Sequence, residues 1–182
     1  SGMGTASTIR DAKFGSQYSF NGIQPNHVTC YEYAMKAETV TENNLGETLV
    51  VLIENTTRYG GKTFHWGDGS AISCCPMSED AYPYDFRGVV QHEAGGHGFA
   101  KLGDEYIYHN AFIQSCGCNC CSHLKEFYEG KGFGWYRNLS VNGDHKTVEW
   151  AHLFAHPDYM DKVDMYEGGY FHSRGIYRSE AN

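Results

Sequence analysis

Residues 89–106 of the chain read VVQHEAGGHGFAKLGDEY, and this stretch decides how the rest of the sequence is interpreted. It contains two histidines, His92 and His97, with Glu93 directly after the first and an acidic pair shortly after the second. A zinc hydrolase uses such groups. Two neutral imidazoles and a third ligand hold the ion, an open position takes water, and a carboxylate accepts the proton of that water. The stretch predicts a zinc site with Glu93 as general base.

The spacing of the two histidines is one residue longer than in the common pattern His-Glu-x-x-His. On an ideal α-helix, residues five apart are separated by roughly 140° and about 7.5 Å of rise, so that His92 and His97 cannot share one ion. A π-helical turn restores the shared face, and Gly95 and Gly96 lower the steric cost of such a distortion. We therefore expect an i→i+5 distortion here. The alternative is two surface histidines on a helix that glycines weaken.

The third ligand is expected in the segment that follows. Asp104 comes seven residues after His97, and Gly103 lets the chain turn back toward the metal. Glu105 is the rival candidate, and His109 is a more distant one. An acidic residue at this position also has a second interpretation, as a group that orients a histidine ring.

This stretch, together with two segments near the end of the chain, resembles the bacterial M64 metallopeptidases, often called IgA peptidases. Residues 97–106 are similar to the family's H-x-x-x-x-L-x-D-E-Y, and residues 166–170 and 175–178 are similar to its Y-E-G-x-x-Y and G-x-Y-R signatures. The chain differs from many members in the longer spacing between its histidines. Members also begin with an earlier strand and helix and continue to a Ser-x-Met region, so residues 1–182 are expected to be a single, incomplete catalytic domain.

The resemblance implies a zinc endopeptidase with a metzincin-like catalytic domain, secreted or on the surface of a bacterium, that hydrolyses extracellular proteins or glycoproteins. Zn²⁺ is the implied cofactor. On this hypothesis His92, His97 and Asp104 are the metal ligands and Glu93 is the catalytic base. Two other functions stay open: a zinc-stabilised binding module without turnover, and a zinc amidase or deacetylase.

Composition narrows the class of partner. The 182 residues carry a net charge of −8, and basic residues are scattered, so nothing favours binding to nucleic acid or to an anionic membrane. No apolar run approaches the ~18 residues of a membrane span.

The seven cysteines are an odd number, and four of them lie in the segment CGCNCC at residues 116–121. Disulfides in a secreted loop are expected there; free thiols and a metal cluster are the alternatives.

The pattern of apolar and turn residues predicts an α+β, metzincin-like (zincin) catalytic domain with a small mixed sheet, one active-site helix and a coil-rich C-terminal part. Three strands are predicted, at residues 47–54, 62–66 and 71–75. The first is expected to be covered on both faces of its sheet, and the second is expected to lie at an edge. The active-site helix is predicted from Phe86 to Ala100 with Asp85 as its N-cap. Further predictions are an irregular segment at 104–119, short helices at 122–128 and 145–156, and coil at the end of the chain.

Overall fold

The computed structural model describes residues 14–19, 22–58, 60–114 and 121–181. The chain divides into two compact units, residues 1–100 and residues 101–182. Both contain strands and helices, so the predicted α+β class is confirmed at this level.

Among the described residues of the first unit are five strands and the helix that carries the two histidines. In chain order its elements are β1 (Gln17–Ser19), β2 (Gly22–Gln24), α1 (His27–Ala34), a 3-10 helix (Glu42–Glu47), β3 (Leu49–Glu54), β4 (Lys62–His65), β5 (Ala71–Pro76), α2 (Phe86–Val90) and a π-helix (Gln91–Phe99). Strands β1 and β2 form an antiparallel pair.

The other three strands of this unit form a mixed sheet in the order β3-β5-β4. Strand β5 is parallel to β3 and antiparallel to β4, and all six of its residues are buried. All three predicted strands are therefore present, and β4 lies at an edge as expected. The expectation that β3 is covered on both faces is wrong, because Val51 and Ile53 are 42% and 52% exposed. Being at the opposite edge, β3 buries only the alternate face, with Leu52 and Glu54.

The active-site helix follows its prediction closely. The side chain of Asp85 caps it, with Oδ1 accepting a hydrogen bond of 3.0 Å from the backbone N–H of Gly88. Helix α2 then continues without interruption into the π-helix, which ends at Phe99. Val89 and Ala94 are buried against Cys75 of β5, so one face of this continuous helix packs on the sheet.

The second unit is built on a four-stranded sheet. Its elements are β6 (Ile107–Phe112), α3 (Cys121–Gly132), β7 (Leu139–Ser140), a 3-10 helix (Ala151–Leu153), β8 (Tyr166–Gly169) and β9 (Phe171–Arg178). Strand β9 pairs with β6, β7 and β8. Phe127 of α3 packs against this sheet in a core that also contains Ile113, Leu139, Tyr170 and Ile176.

Three predictions for this unit are wrong. The C-terminal segment is not coil, because β8 and β9 occupy it, and β6 occupies part of the segment expected to be irregular. Phe171, Ile176 and Tyr177 favour a strand, and pairing with three other strands keeps the segment extended through Gly175. Residues 145–156 form turns and a 3-10 helix instead of an α-helix, because this segment buries Val148 and Trp150 together with Val163. The helix expected at 122–128 is present but longer.

Cysteines 30, 74 and 75 are buried free thiols. Cysteines 116, 118 and 120 lie outside the described residues, so the prediction of disulfides there stays a prediction. Within the described ranges, no helix combines the length and the apolar character that a membrane span requires.

Candidate metal centre

The extra residue between the two histidines is accommodated by the π-helix Gln91–Phe99. Its backbone hydrogen bonds join residues that are five apart in the sequence, whereas those of an α-helix join residues four apart. An example is the 3.0 Å bond from the backbone N–H of Ala100 to the carbonyl of Gly95. A π-helix has more residues per turn than an α-helix, so residues five apart return to one face. The predicted i→i+5 distortion between His92 and His97 is confirmed.

The two imidazoles converge as the site hypothesis requires. Nε2 of His92 lies 3.1 Å from Nε2 of His97, and the ring planes are nearly perpendicular, at 85°. In a tetrahedral site with metal–nitrogen bonds of about 2.0–2.1 Å, two ligand nitrogens lie about 3.3 Å apart. The separation of the two nitrogens therefore fits one edge of a zinc coordination tetrahedron.

Asp104 completes a group of three potential ligands. One ligand atom each from His92, His97 and Asp104 lies within 4.8 Å of the other two. The backbone of Asp104 is fixed, because its carbonyl accepts a 2.8 Å hydrogen bond from the backbone N–H of Tyr170. Two imidazoles and one carboxylate are a donor set that zinc takes when a further position stays open for water or substrate. The residues present thus fit a zinc ion.

The two rivals of Asp104 have other partners. Oε1 of Glu105 accepts a 2.8 Å hydrogen bond from Nδ2 of Asn138, and the same amide group bonds the N–H and the carbonyl of Gly103. The ring of His109 packs against the rings of two other histidines. Asn138 therefore fixes the residues on both sides of Asp104, and none of these hydrogen bonds involves the carboxylate of Asp104.

Glu93 is held against the sheet by two hydroxyl groups. Its side chain is 7% exposed, and Oγ1 of Thr63 lies 2.8 Å from its Oε2. The same hydroxyl lies 2.9 Å from the carbonyl oxygen of Glu93, and Oγ of Ser73 lies 3.0 Å from that carbonyl. The first contact orients the carboxylate of Glu93, and the other two hold its backbone carbonyl against the sheet.

Two glycines let the π-helix and the sheet come this close. A Cβ atom on Gly61 would lie 2.9 Å from Oε1 of Glu93. A Cβ atom on Gly98 would lie 2.6 Å from both Oγ of Ser73 and Cδ1 of Leu49. Any larger residue at either position must displace the side chains that pack around Glu93.

Strand β4 borders the π-helix. Nε2 of His65 lies 2.9 Å from the carbonyl oxygen of His97, and since a carbonyl only accepts, this nitrogen donates. Thr63, two residues earlier, faces the same helix through Glu93. The contacts made by Thr63, His65 and Ser73 were not anticipated from the sequence. The only signal was the alternation of residues in the strand, which indicates a shared face but not its partner.

No protein-family model matches the chain, and no curated protein matches it either. The case for a function therefore rests on the geometry of this group of residues.

Proposed function

We propose that this protein is a zinc-dependent endopeptidase that hydrolyses peptide bonds in extracellular proteins or glycoproteins. On this proposal it belongs with the M64 metallopeptidases, has a metzincin-like catalytic domain and acts outside a bacterial cell. The observation that carries the proposal is the π-helical turn, which brings Nε2 of His92 and Nε2 of His97 to 3.1 Å from each other. A helix distorted in this way at two potential ligands, beside a buried glutamate, is unexpected for an ordinary structural helix.

His92, His97 and Asp104 would hold the ion. When bound, zinc supplies Lewis-acid chemistry, polarising a carbonyl and acidifying water. The three ligands differ in accessibility, because His92 is exposed whereas His97 and Asp104 are half-buried. Substrate would therefore approach from the side of His92.

Glu93 would move the proton. Its carboxylate accepts a proton from the attacking water and later donates it to the amine of the leaving peptide. The hydroxyl of Thr63, 2.8 Å from Oε2, orients this carboxylate by donating a hydrogen bond to it. Burial of Glu93 beside β5 keeps the carboxylate in place between the two transfers.

Strand β4 would bind the substrate. It lies at the edge of its sheet and carries Thr63 and His65, which contact the π-helix at Glu93 and His97. An extended peptide can add to such an edge by main-chain hydrogen bonds, which would align it with the site without demanding a particular sequence. This arrangement favours a polymeric peptide substrate over a small amide.

The test is the variant Glu93→Gln, which keeps the shape of the side chain and removes the base. Zinc content by elemental analysis should equal that of the wild type. Cleavage of a mixed-sequence fluorogenic peptide library should fall by at least ~10²-fold, as expected for a positioned acid–base group.

Glu32→Gln is the matched control, because Glu32 is an exposed glutamate of the same unit. It should change neither zinc content nor cleavage. Unchanged turnover in Glu93→Gln would remove Glu93 from the mechanism, and loss of zinc would make it structural or a ligand. A wild-type protein that binds zinc but cleaves no peptide would favour the binding module. Release of acetate from acetyl-lysine peptides without backbone cleavage would favour the deacetylase.

A further inference from the structure

Three other histidines come together in the second unit, on three different elements. His109 lies on β6, His123 lies at the start of α3, and His172 lies on β9. His109 and His172 are register partners in the parallel pairing of β6 with β9. Side chains of directly paired residues project from the same face of a sheet. The pairing of the strands thus places two imidazoles side by side, and α3 brings the third to them.

The distance between two of these rings suits a shared ion, and the third ring lies close to them. Nδ1 of His123 lies 3.1 Å from Nε2 of His172, the same nitrogen–nitrogen separation as in the pair His92 and His97. Ring centroids are 5.4 Å apart for His123 and His172, 5.5 Å for His109 and His172, and 6.0 Å for His109 and His123. Three imidazoles bound tetrahedrally at about 2.0–2.1 Å have centroids about 5 Å apart. The ring nitrogens of the three do not all lie within 4.8 Å of one another, so the exposed side chain of His109 has to rotate toward the other two rings before all three hold one ion.

The surroundings of the three rings also favour metal binding. His172 is fully buried, whereas His109 is exposed and leaves access from solvent. Aromatic rings of Phe171 and Tyr170 pack on His123, at 5.1 Å and 6.2 Å between centroids.

We propose that His109, His123 and His172 form a second zinc site, separate from the group His92, His97 and Asp104. Three imidazoles are a ligand set that zinc takes with a fourth position open. An ion at this position would connect β6, α3 and β9, three elements that otherwise meet through packing and strand pairing. Its first consequence is therefore stabilisation of the second unit.

The test starts from the double variant His92→Ala/His97→Ala, which removes the first proposed site. With zinc chloride alone as the probe, equilibrium dialysis followed by elemental analysis should still find one ion per chain. Adding His109→Ala and His123→Ala should weaken zinc binding by at least ~10-fold, because two of three ligands are lost. His172 is left unchanged, since truncating a fully buried side chain opens a cavity. His152→Ala, at an exposed histidine outside both groups, is the matched control and should have no effect.

A second measurement covers the case in which the first double variant does not fold. In the intact chain, His109→Ala/His123→Ala should reduce the zinc content from two ions to one, with an unchanged far-UV circular dichroism spectrum. Zinc should also raise the Tm of the double variant lacking the first site but not that of the quadruple variant. The proposal is overturned if zinc content and Tm do not depend on His109 and His123. It is equally overturned if cobalt in place of zinc gives an intense thiolate charge-transfer band, which would assign the ion to cysteines.

Discussion

Replacement of Gly98 by alanine tests the close packing of the π-helix against the sheet. A Cβ atom at this position would lie 2.6 Å from Cδ1 of Leu49 and 2.6 Å from Oγ of Ser73. Ser73 is fully buried and its hydroxyl bonds the carbonyl of Glu93, so it cannot move away without losing that bond. At Gly96, by contrast, the nearest atom to a new Cβ is the carbonyl oxygen of Gln91, at 3.7 Å.

The two glycines form a matched pair, because both lie in the same π-helix and both substitutions gain the same helix propensity, about 1 kcal/mol. That gain cancels when the variants are compared with each other. What remains is the cost of overpacking at Gly98, about 1–3 kcal/mol. Gly96→Ala should therefore be at least as stable as the wild type, and Gly98→Ala should be less stable than Gly96→Ala by about 1–3 kcal/mol.

Urea denaturation followed by far-UV circular dichroism measures this difference in the free energy of unfolding. Zinc titration of the folded variants supplies a second readout, since displacing the helix at Gly98 moves the neighbouring His97 and should weaken zinc binding. If both variants have the same stability and the same affinity for zinc, the π-helix does not pack on Ser73 and Leu49 as described, and the argument from close approach is refuted.

Three further predictions concern single side chains. Thr63→Val removes the hydroxyl next to Oε2 of Glu93. Urea denaturation should show a free energy of unfolding lower by about 1.5–3 kcal/mol, the range for a hydrogen bond to a charged group. An unchanged free energy of unfolding would mean that the bond is not formed. Asp104→Asn should weaken zinc binding at least ~10-fold in a calorimetric titration whereas Glu105→Gln should not, and the reverse order would make Glu105 the third ligand. Burial raises the pKa of Glu54 from 4.5 to about 7, so its protonated form is favoured in the folded state and stability should fall as pH rises from about 4.5 to about 7. Glu54→Gln should therefore be more stable than the wild type at pH 8, by up to about 3 kcal/mol. Below pH 4.5 the variant should lose this advantage. Equal stability of the two proteins from pH 4.5 to pH 8 would refute the raised pKa of Glu54.

The sequence was most informative where a local pattern determines local structure. The apolar run before Glu54 and the alternation in β4 predicted two of the strands, and the capping residue Asp85 predicted the start of the helix. The five-residue spacing of His92 and His97 predicted the π-helical distortion, because the stereochemistry of a shared ion admits few solutions.

The second unit was predicted poorly because long-range pairing determines its structure. Gly175 interrupts the residues of β9 that favour a strand, and pairing with the neighbouring strands keeps the segment extended across it. The cluster of His109, His123 and His172 had no sequence signal for the same reason, since its members lie far apart along the chain. Likewise, no pattern in the sequence indicates that Thr63 bonds Glu93.

An anomalous difference map at the zinc absorption edge, from crystals grown with zinc, would locate the bound ion. We expect a peak bonded to Nε2 of His92, Nε2 of His97 and a carboxylate oxygen of Asp104, with Glu93 nearby but not among the ligands. A map with no peak at these two histidines, from crystals in which residues 91–99 are ordered, would contradict this expectation.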